Sequence, residues 1–491
     1  MFGKLKEKYD SFPVSIRATL WFFVCAFLQK AMAAISIPIF TRIMTSEEFG
    51  AYSVFVSWQG IINCIVSLNL FGGFYTQGLV KFDKNRDAFS ASLQGLTITM
   101  TGLWMVVYFV FRERINDLLS LSTEQMLLMI MGIWATSSFS FWAVAQRVQY
   151  QYRNLVIVTF AAAVLTTVVG ILFTMASRDK VTARICAASL VSVLCYTGLC
   201  ISQLRKGHCF YSGTYWKYAL CFAIPLVPHY LSQIVLNCSD RIMISSLVDN
   251  SAAGIYSLAY SISQIMLLFN TALLQTVEPW IYEKIQSDRI QEIQSVAYPV
   301  FWFIAVMNLL LIAFAPEIIS FFAPSEYHSA IWAIPPIAMS VFFMFTYSFF
   351  ALFEFYYEKT QYIAISTTAG AVLNILLNYV FIQRFGYLAA GYTTLICYIV
   401  YVVLHYTFMH KLCVKHHAGK EAYSIKKLLT LAIAFMSMGF AMMLSYRFFA
   451  IRMGFICLFA VCLLKYRKTI LSNLKRLGDI RRQRHVKETE I

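Results

Sequence analysis

The chain contains 491 residues, of which 59% are hydrophobic and only 13% are charged, and its mean hydropathy is +0.65. A water-soluble domain needs more polar surface than this composition provides, so a soluble protein is excluded. The formal net charge is +16, and membrane orientation accounts for it without a nucleic-acid partner.

Apolar stretches recur from one end of the chain to the other, and each is long enough, at about 20 residues, to cross the hydrocarbon of a bilayer as a helix. Helices are expected because lipid offers backbone groups no hydrogen-bonding partner. The sequence therefore predicts an all-α polytopic membrane protein with about 14 transmembrane helices. The predicted spans cover residues 18–40, 51–72, 88–111, 125–146, 154–176, 182–203, 218–239, 253–277, 296–316, 330–353, 361–383, 387–409, 428–446 and 449–464.

The first and seventh predicted spans resemble each other when they are aligned without a gap. LWFFVCAFLQKAMAAISIPIFTRIMT begins at Leu20 and ALCFAIPLVPHYLSQIVLNCSDRIMI begins at Ala219, an offset of 199 residues. Both copies contain Arg-Ile-Met near the end, and the next span opens with Gly-x-Tyr-Ser at Gly50 and again at Gly254. Six spans separate the copies, so both cross in the same direction. A parallel repeat of this kind is typical of transporters that rock around a central cavity.

The repeat predicts two pseudo-symmetric six-helix lobes around a central cavity. The predicted N-terminal lobe covers residues 1–204 and the C-terminal lobe covers 205–410. Two additional spans lie within 411–464, and a basic cytoplasmic tail covers 465–491.

Lys30 lies near the middle of the first span, and the repeat places it opposite His229. A charge at the centre of a bilayer costs about 2.5–3.5 kcal/mol on insertion scales, so it should face a water-filled cavity or a partner. No carboxylate lies one turn away from Lys30 within its own helix. One hypothesis is that Lys30, with His229, binds an anionic substrate group. The alternatives are that Lys30 is a structural cation paired across helices and that His229 is an ordinary core histidine.

Arg42 and Arg241 each follow these positions by twelve residues, or about 18 Å along a helix, which puts them at the outer mouth. They would either guide an anion outward or act as snorkelling helix ends. Asp240 would offset the charge of its neighbour or take part in ion coupling.

Two further acidic residues, Glu278 and Glu354, lie near the predicted cytoplasmic ends of the eighth and tenth spans. Each is a candidate to carry a coupling proton, and the alternative for each is solvation at the membrane interface.

The basic residues predict the orientation. With both termini inside, 29 basic residues fall in inner segments and 10 in outer loops, with Lys30 left over, as the positive-inside rule requires. The twelve cysteines are scattered and include no Cys-x-x-Cys pair, and His416-His417 lies in a loop without metal-ligand spacing. Cysteines that pack in the core, a solvated histidine loop, no metal and no cofactor are the expectation.

The stretch IPIFTRIMTSEEFGAYSVFVSWQGIINCIVSLNLFGGFYTQGLVKF, residues 37–82, resembles the start of the lipid-linked oligosaccharide flippases of bacterial polysaccharide export. The shared pattern is Pro-x-Phe-Thr-Arg at a helix end, an acidic turn, and Gly-x-Tyr-Ser. These proteins belong to the superfamily that includes the multidrug and toxin extrusion transporters. Over the rest of the chain the likeness is one of topology.

This resemblance implies a flippase of the bacterial inner membrane. It would move an undecaprenyl-pyrophosphate-linked oligosaccharide to the periplasmic leaflet for O-antigen, capsule or exopolysaccharide synthesis, with other polysaccharide assembly proteins as further partners. An ion-coupled multidrug exporter is the nearest alternative. A membrane polymerase or glycosyltransferase is the alternative from another class, and the chain has neither a large outer loop nor a recognisable catalytic motif.

Overall fold

The computed structural model describes residues 14–465, without the side chains of 14–16, 19, 23, 26 and 458–465. The described residues are helical and contain no strand, and thirteen of their helical segments are long and apolar enough to cross a membrane. Each of the thirteen coincides with a predicted span to within several residues, so the all-α membrane architecture is confirmed. A further helix, Phe449–Lys465, covers the fourteenth predicted span. The basic tail beyond Lys465 lies outside the described residues.

The chain divides into two compact units, Met1–Gly254 and Ile255–Ile491. The helices of the first unit are α1 (Val14–Ile43), α2 (Ser46–Ser67), α3 (Gly73–Lys81), α4 (Arg86–Val110), α5 (Arg112–Leu119), α6 (Thr123–Val148), α7 (Tyr152–Ala176), α8 (Lys180–Gly207), α9 (Gly213–Ala223) and α10 (Val227–Leu247). The main packings are α6 on α8, α7 on α8, α2 on α10 and α4 on α8. The predicted lobe boundaries rest on the repeat and stay a prediction.

The unit boundary lies inside α11 (Asn250–Ser263). The other helices of the second unit are α12 (Met266–Gln286), α13 (Gln294–Ala313), α14 (Ala315–Phe322), α15 (Ile334–Tyr356), α16 (Thr360–Phe385), α17 (Ala389–His416), α18 (Ile425–Leu444) and α19 (Phe449–Lys465). The central helix is α15, the most deeply buried of the candidate spans, and it packs against α17, α13 and α12.

The acidic turn of the Pro-x-Phe-Thr-Arg motif is a capping box that starts α2. The hydroxyl of Thr45 accepts a hydrogen bond from the Glu48 amide at 3.2 Å, and the Glu48 carboxylate accepts one from the Thr45 amide at 2.8 Å. Aromatic residues on both sides of this turn bind the guanidinium of Arg184. It lies 3.6 Å from the ring centroid of Phe40 in Pro-x-Phe-Thr-Arg and 3.7 Å from that of Tyr52 in Gly-x-Tyr-Ser. These motif residues therefore fix the α1–α2 corner against α8.

The two glycines of the repeat meet at a reciprocal contact in the first unit. A Cβ on Gly50 would overlap the carbonyl oxygen of Asn250, and a Cβ on Gly254 would overlap that of Ser46. Asn250 occupies in the second copy the position of Ser46 in the first, since both precede their glycine by four residues. The contact is therefore symmetric, and only glycine allows the two backbones to approach this closely.

Candidate functional site

Lys30 lies on α1, the least buried of the candidate spans, and its side chain is exposed. Among the described residues no carboxylate lies within ion-pair distance of its ammonium group. The structural-cation interpretation needs such a partner, and the described part of the chain supplies none. The charge on α1 is thus left for water or a ligand to neutralise.

His229 lies at the beginning of α10, directly after a 3-10 turn, Ile224–Leu226, that separates α9 from α10. Its ring is half-buried and contacts Tyr230, with 5.6 Å between ring centroids. Pro225 lies inside this turn, and Pro228 is the second residue of α10. The helix is interrupted here because proline removes a backbone donor and clashes with the preceding turn. A common cavity for Lys30 and His229 stays a prediction.

The two arginines of the repeat have different surroundings. Arg42 is exposed, and its Nη1 donates a hydrogen bond at 2.7 Å to the carbonyl oxygen of Pro38, four residues earlier in α1. Arg241 is half-buried, and the neighbouring Asp240 is buried at 1% exposure. A role for either arginine in binding, and of Asp240 in ion coupling, stays a prediction.

Glu278 and Glu354, the two acidic candidates of the second unit, differ in burial. Glu278 is half-buried on α12, one turn before Tyr282. Glu354 on α15 is completely buried, at 0% exposure. The interpretation of Glu354 as a side chain solvated at the interface is therefore wrong. The predicted cytoplasmic end of its span is covered because α17 continues past it to His416.

Glu354 has a partner that the sequence did not reveal. His405 on α17 is 1% exposed, and its Nδ1 lies 2.8 Å from Glu354 Oε1. Tyr347 stacks on the imidazole with 5.0 Å between centroids, and Tyr401 meets it edge-on at 4.8 Å. The pair is thus enclosed between α15 and α17 by aromatic rings.

His405 was missed because 51 residues and a complete span separate it from Glu354. A weak signal was present: Thr393, Cys397, Tyr401 and His405 recur every four residues in α17, which places them along one side of the helix. The sequence does not show which helix that face contacts, and hydropathy alone does not distinguish a polar seam from a cavity wall.

A second polar cluster joins three turns at one end of the second unit. His417 is 4% exposed; its Nδ1 lies 2.7 Å from Asp288 Oδ1, and its Nε2 lies 2.7 Å from the Tyr357 hydroxyl. The ammonium of Lys420 also contacts Asp288. The expectation of a solvated loop is therefore wrong for His417, which connects the loops after α12, α15 and α17.

The charges in this cluster set the hydrogen-bond directions. The hydrogen bonds from Lys420 and His417 hold the pKa of the Asp288 carboxyl below its usual value. Burial raises the pKa of the Tyr357 phenol to about 12, so Tyr357 stays protonated. Its hydroxyl therefore donates a hydrogen bond to His417 Nε2. His417 then donates from Nδ1 to Asp288.

The family of the chain follows from a comparison with protein-family sequences. The sequence model described as "Polysaccharide biosynthesis protein" matches residues 15–285, just over half of the chain, and a second model, MatE, matches 225–380. The chain belongs to the polysaccharide biosynthesis protein family. A comparison with curated protein sequences finds no match.

Solved structures with the same fold include the lipid II flippase MurJ in an inward closed conformation. Its TM-score is 0.67 at 17% identity, and the match covers 92% of this chain and 100% of that one. An inward-facing multidrug resistance MATE family transporter of the MOP superfamily gives a TM-score of 0.60 at 12% identity, covering 80% and 96%. An outward-facing MATE transporter gives 0.55 at 13%, covering 83% and 97%.

The predicted resemblance to flippases and MATE transporters is confirmed by the family and fold matches. This member of the polysaccharide biosynthesis protein family has the fold of MOP superfamily transporters. In these solved structures the fold serves transport and not enzymatic catalysis, so the polymerase or glycosyltransferase alternative finds no support in it.

Proposed function

We propose that the chain flips an undecaprenyl-pyrophosphate-linked oligosaccharide from the cytoplasmic to the periplasmic leaflet of the bacterial inner membrane. The product would serve O-antigen, capsule or exopolysaccharide synthesis. The cavity would open to each side in turn, as alternating access requires. Support comes from the family match, from a fold shared with a lipid II flippase, and from the excess of basic residues in the predicted inner segments.

The observation that carries the proposal is the charge on Lys30. It lies within an apolar span, is exposed, and has no carboxylate within ion-pair distance in the described part of the chain. A substrate pyrophosphate is a dianion or more, and an ammonium group in a site of low dielectric attracts it more strongly than in water. Arg42 and Arg241 would add positive charge along the same route, and the half-buried ring of His229 would add a hydrogen-bond donor.

Multidrug export is the second candidate, because the MatE model matches 225–380 and MATE structures share the fold. An exporter of cationic drugs would need a negative charge available in the cavity. The buried carboxylate of Glu354 is already paired with His405, whereas the deep charge on α1 is positive. Of the other acidic candidates, Asp240 lies beside Arg241 and Glu278 is half-buried on α12. The charge on Lys30 therefore favours an anionic substrate.

The test uses the purified protein in liposomes that contain fluorescently labelled undecaprenyl-pyrophosphate-linked saccharide. Lys30→Met and Lys30→Arg are compared with wild type at equal protein density, and flipping is followed by the label that becomes accessible to an impermeant quencher. We expect Lys30→Met to lower the rate about 10-fold or more, because losing one close charge–charge contact costs more than about 1.4 kcal/mol. Lys30→Arg should retain most of the rate.

Lys426→Met is the matched control, because it removes an exposed lysine at the beginning of α18 and should leave flipping unchanged. Full activity of Lys30→Met would end the proposal that Lys30 binds the substrate anion. Absence of flipping by the wild type, together with transport of a cationic dye, would favour the drug exporter.

A further inference from the structure

The Glu354–His405 pair is a deeply buried ionisable site of the second unit. Its two groups are at most 1% exposed and touch through a single contact of 2.8 Å between Oε1 and Nδ1. The remaining polar atoms, Glu354 Oε2 and His405 Nε2, are buried and have no hydrogen-bond partner among the described residues. An unpartnered buried polar atom costs about 1–3 kcal/mol, so this arrangement is a poor one for a purely structural ion pair.

The protonation states of the pair differ in net charge. A pair with one shared proton is neutral, because carboxyl plus imidazole and carboxylate plus imidazolium both have no net charge. The proton can pass between the two groups across the 2.8 Å contact. Loss of that proton leaves one uncompensated negative charge, and addition of a second leaves one positive charge. Burial strongly disfavours both charged forms. In the enclosed geometry the pair therefore holds one proton, and release requires water or a cation to reach the site.

The groups around Glu354 and His405 add no further charge to the pair. From α15 and α17 the titratable neighbours are the neutral phenols of Tyr347 and Tyr401, and α16 presents the hydroxyl of Thr367 to Tyr401. The helices α12, α13 and α18 also pack against α15. Within the described ranges they bring no charged side chain into ion-pair distance of Glu354 or His405.

A line of buried polar groups leads away from the pair. Thr393, Cys397, Tyr401 and His405 lie on one face of α17, all buried, over twelve residues or about 18 Å of helix. At the far end Thr393 donates a hydrogen bond to Asn378 on α16. Such a seam gives water and protons a less costly route through the unit than an apolar interface does.

We propose that the Glu354–His405 pair binds and releases the proton that energises transport. A proton from water on one side adds to the deprotonated pair, and the same proton leaves to water when the unit opens the site to the other side. Nothing else is consumed. The energetic role rests on the proposed function, whereas proton binding itself is measurable without any transport substrate.

A proton fits this site better than sodium. Hard cations take several oxygen ligands, whereas this site offers one carboxylate and an imidazole nitrogen between aromatic rings. No group of three or more histidine, cysteine, aspartate or glutamate residues positioned to hold a metal ion occurs in the described part of the chain.

The experiment measures hydrogen exchange of the 393–405 segment in lipid nanodiscs between pH 5.5 and 8.5, without substrate. The rates are corrected for base-catalysed intrinsic exchange, so that the remaining pH dependence reports the opening equilibrium. If opening releases one proton, its equilibrium constant rises about tenfold per pH unit above the midpoint in wild type. Glu354→Gln keeps the hydrogen bond to His405 but removes the shared carboxyl proton. The remaining imidazole is neutral when enclosed and has no proton to release on opening, so the tenfold rise per pH unit should be absent from this variant.

Glu358→Gln is the control, because Glu358 is exposed one turn further along and the same chemical change there should leave the wild-type profile. His405→Gln removes the other half of the shared site and should displace the midpoint. A flat wild-type profile, or the same slope in wild type and Glu354→Gln, would overturn the inference.

The measurement is repeated at fixed pH with sodium in place of N-methylglucamine. If protection of residues 393–405 from hydrogen exchange depends on the sodium concentration and not on pH, the proposal is also overturned. Failure of the flipping assay alone would leave these exchange results standing, so the two proposals fail separately.

Discussion

The charged residues Glu354, Asp288 and Lys30 have different surroundings in this fold. Glu354 is buried and shares a contact with an imidazole, Asp288 is half exposed between two donors, and Lys30 is exposed with no carboxylate at ion-pair distance in the described segments. Charge is costly only where water is excluded. Substitution at Asp288 should therefore disturb local order, whereas substitution at Glu354 or Lys30 should change how the protein responds to ions and substrate.

Asp288→Asn tests the cluster around His417. The substitution removes the charge that Lys420 contacts and weakens the acceptor for His417 Nδ1. We expect faster hydrogen exchange in residues 417–424 at neutral pH, with little change in overall melting temperature because Asp288 is largely solvated. Exchange in this segment is measured by mass spectrometry, with Glu421→Gln as the exposed acidic control from the same loop.

The same cluster has a defined pH dependence. The folded-state pKa of Asp288 is lowered by Lys420 and His417, so its contribution is complete above the unfolded value near pH 4 and is lost as pH falls through the lower folded value. Protection of 417–424 should therefore not weaken through titration of Asp288 between pH 8 and about pH 5. Loss of protection in wild type at pH 6 that Asp288→Asn abolishes would contradict this assignment.

At the scale of helices, the sequence predicts what hydropathy and capping control. Each described span follows from an apolar run, and the Thr45–Glu48 box follows from Thr-x-x-Glu before α2. Contacts between distant helices were not predictable, as His405 shows, because periodicity identifies a polar face but not the helix that covers it. The repeat is an intermediate case: Gly50 aligns with Gly254 in the sequence, whereas their close approach is seen only in the structure.

Gly50→Ala tests that contact. The new methyl would overlap the Asn250 carbonyl oxygen, which belongs to the backbone and cannot move away without shifting a helix. We expect a loss of about 1–3 kcal/mol in stability, the usual cost of overpacking, and a larger loss for Gly50→Val. Gly254→Ala should behave in the same way because a methyl there meets the Ser46 carbonyl oxygen. Thermal unfolding in detergent measures the effect.

Gly102→Ala provides the matched control, since a Cβ there meets nothing within 4 Å and alanine favours the helix by about 1 kcal/mol over glycine. This variant should be as stable as wild type or slightly more stable. Equal melting temperatures for Gly50→Ala and Gly102→Ala would mean that the two helices separate at no cost and that the reciprocal contact is unimportant.

For the whole molecule, the direction of the proposed flipping depends on which ends face the cytoplasm. The prediction that both termini are inside rests on 29 basic residues in inner segments against 10 in outer loops. A membrane protein with the opposite orientation would present Lys30 and Arg42 in reversed order to a substrate arriving from the cytoplasm. Orientation is therefore part of the flippase proposal and requires its own test.

Single cysteines introduced at two exposed positions between spans provide that test, in a background in which the twelve native cysteines are replaced. Leu118→Cys lies between the third and fourth spans, at a position that is 76% exposed, and Gln149→Cys lies in the next connection along the chain. In spheroplasts an impermeant maleimide should label Leu118→Cys directly and Gln149→Cys only after the membrane is opened, because successive loops lie on opposite sides. The reversed pattern would place the termini outside and make inward transport the natural direction, which is incompatible with export of a saccharide assembled in the cytoplasm.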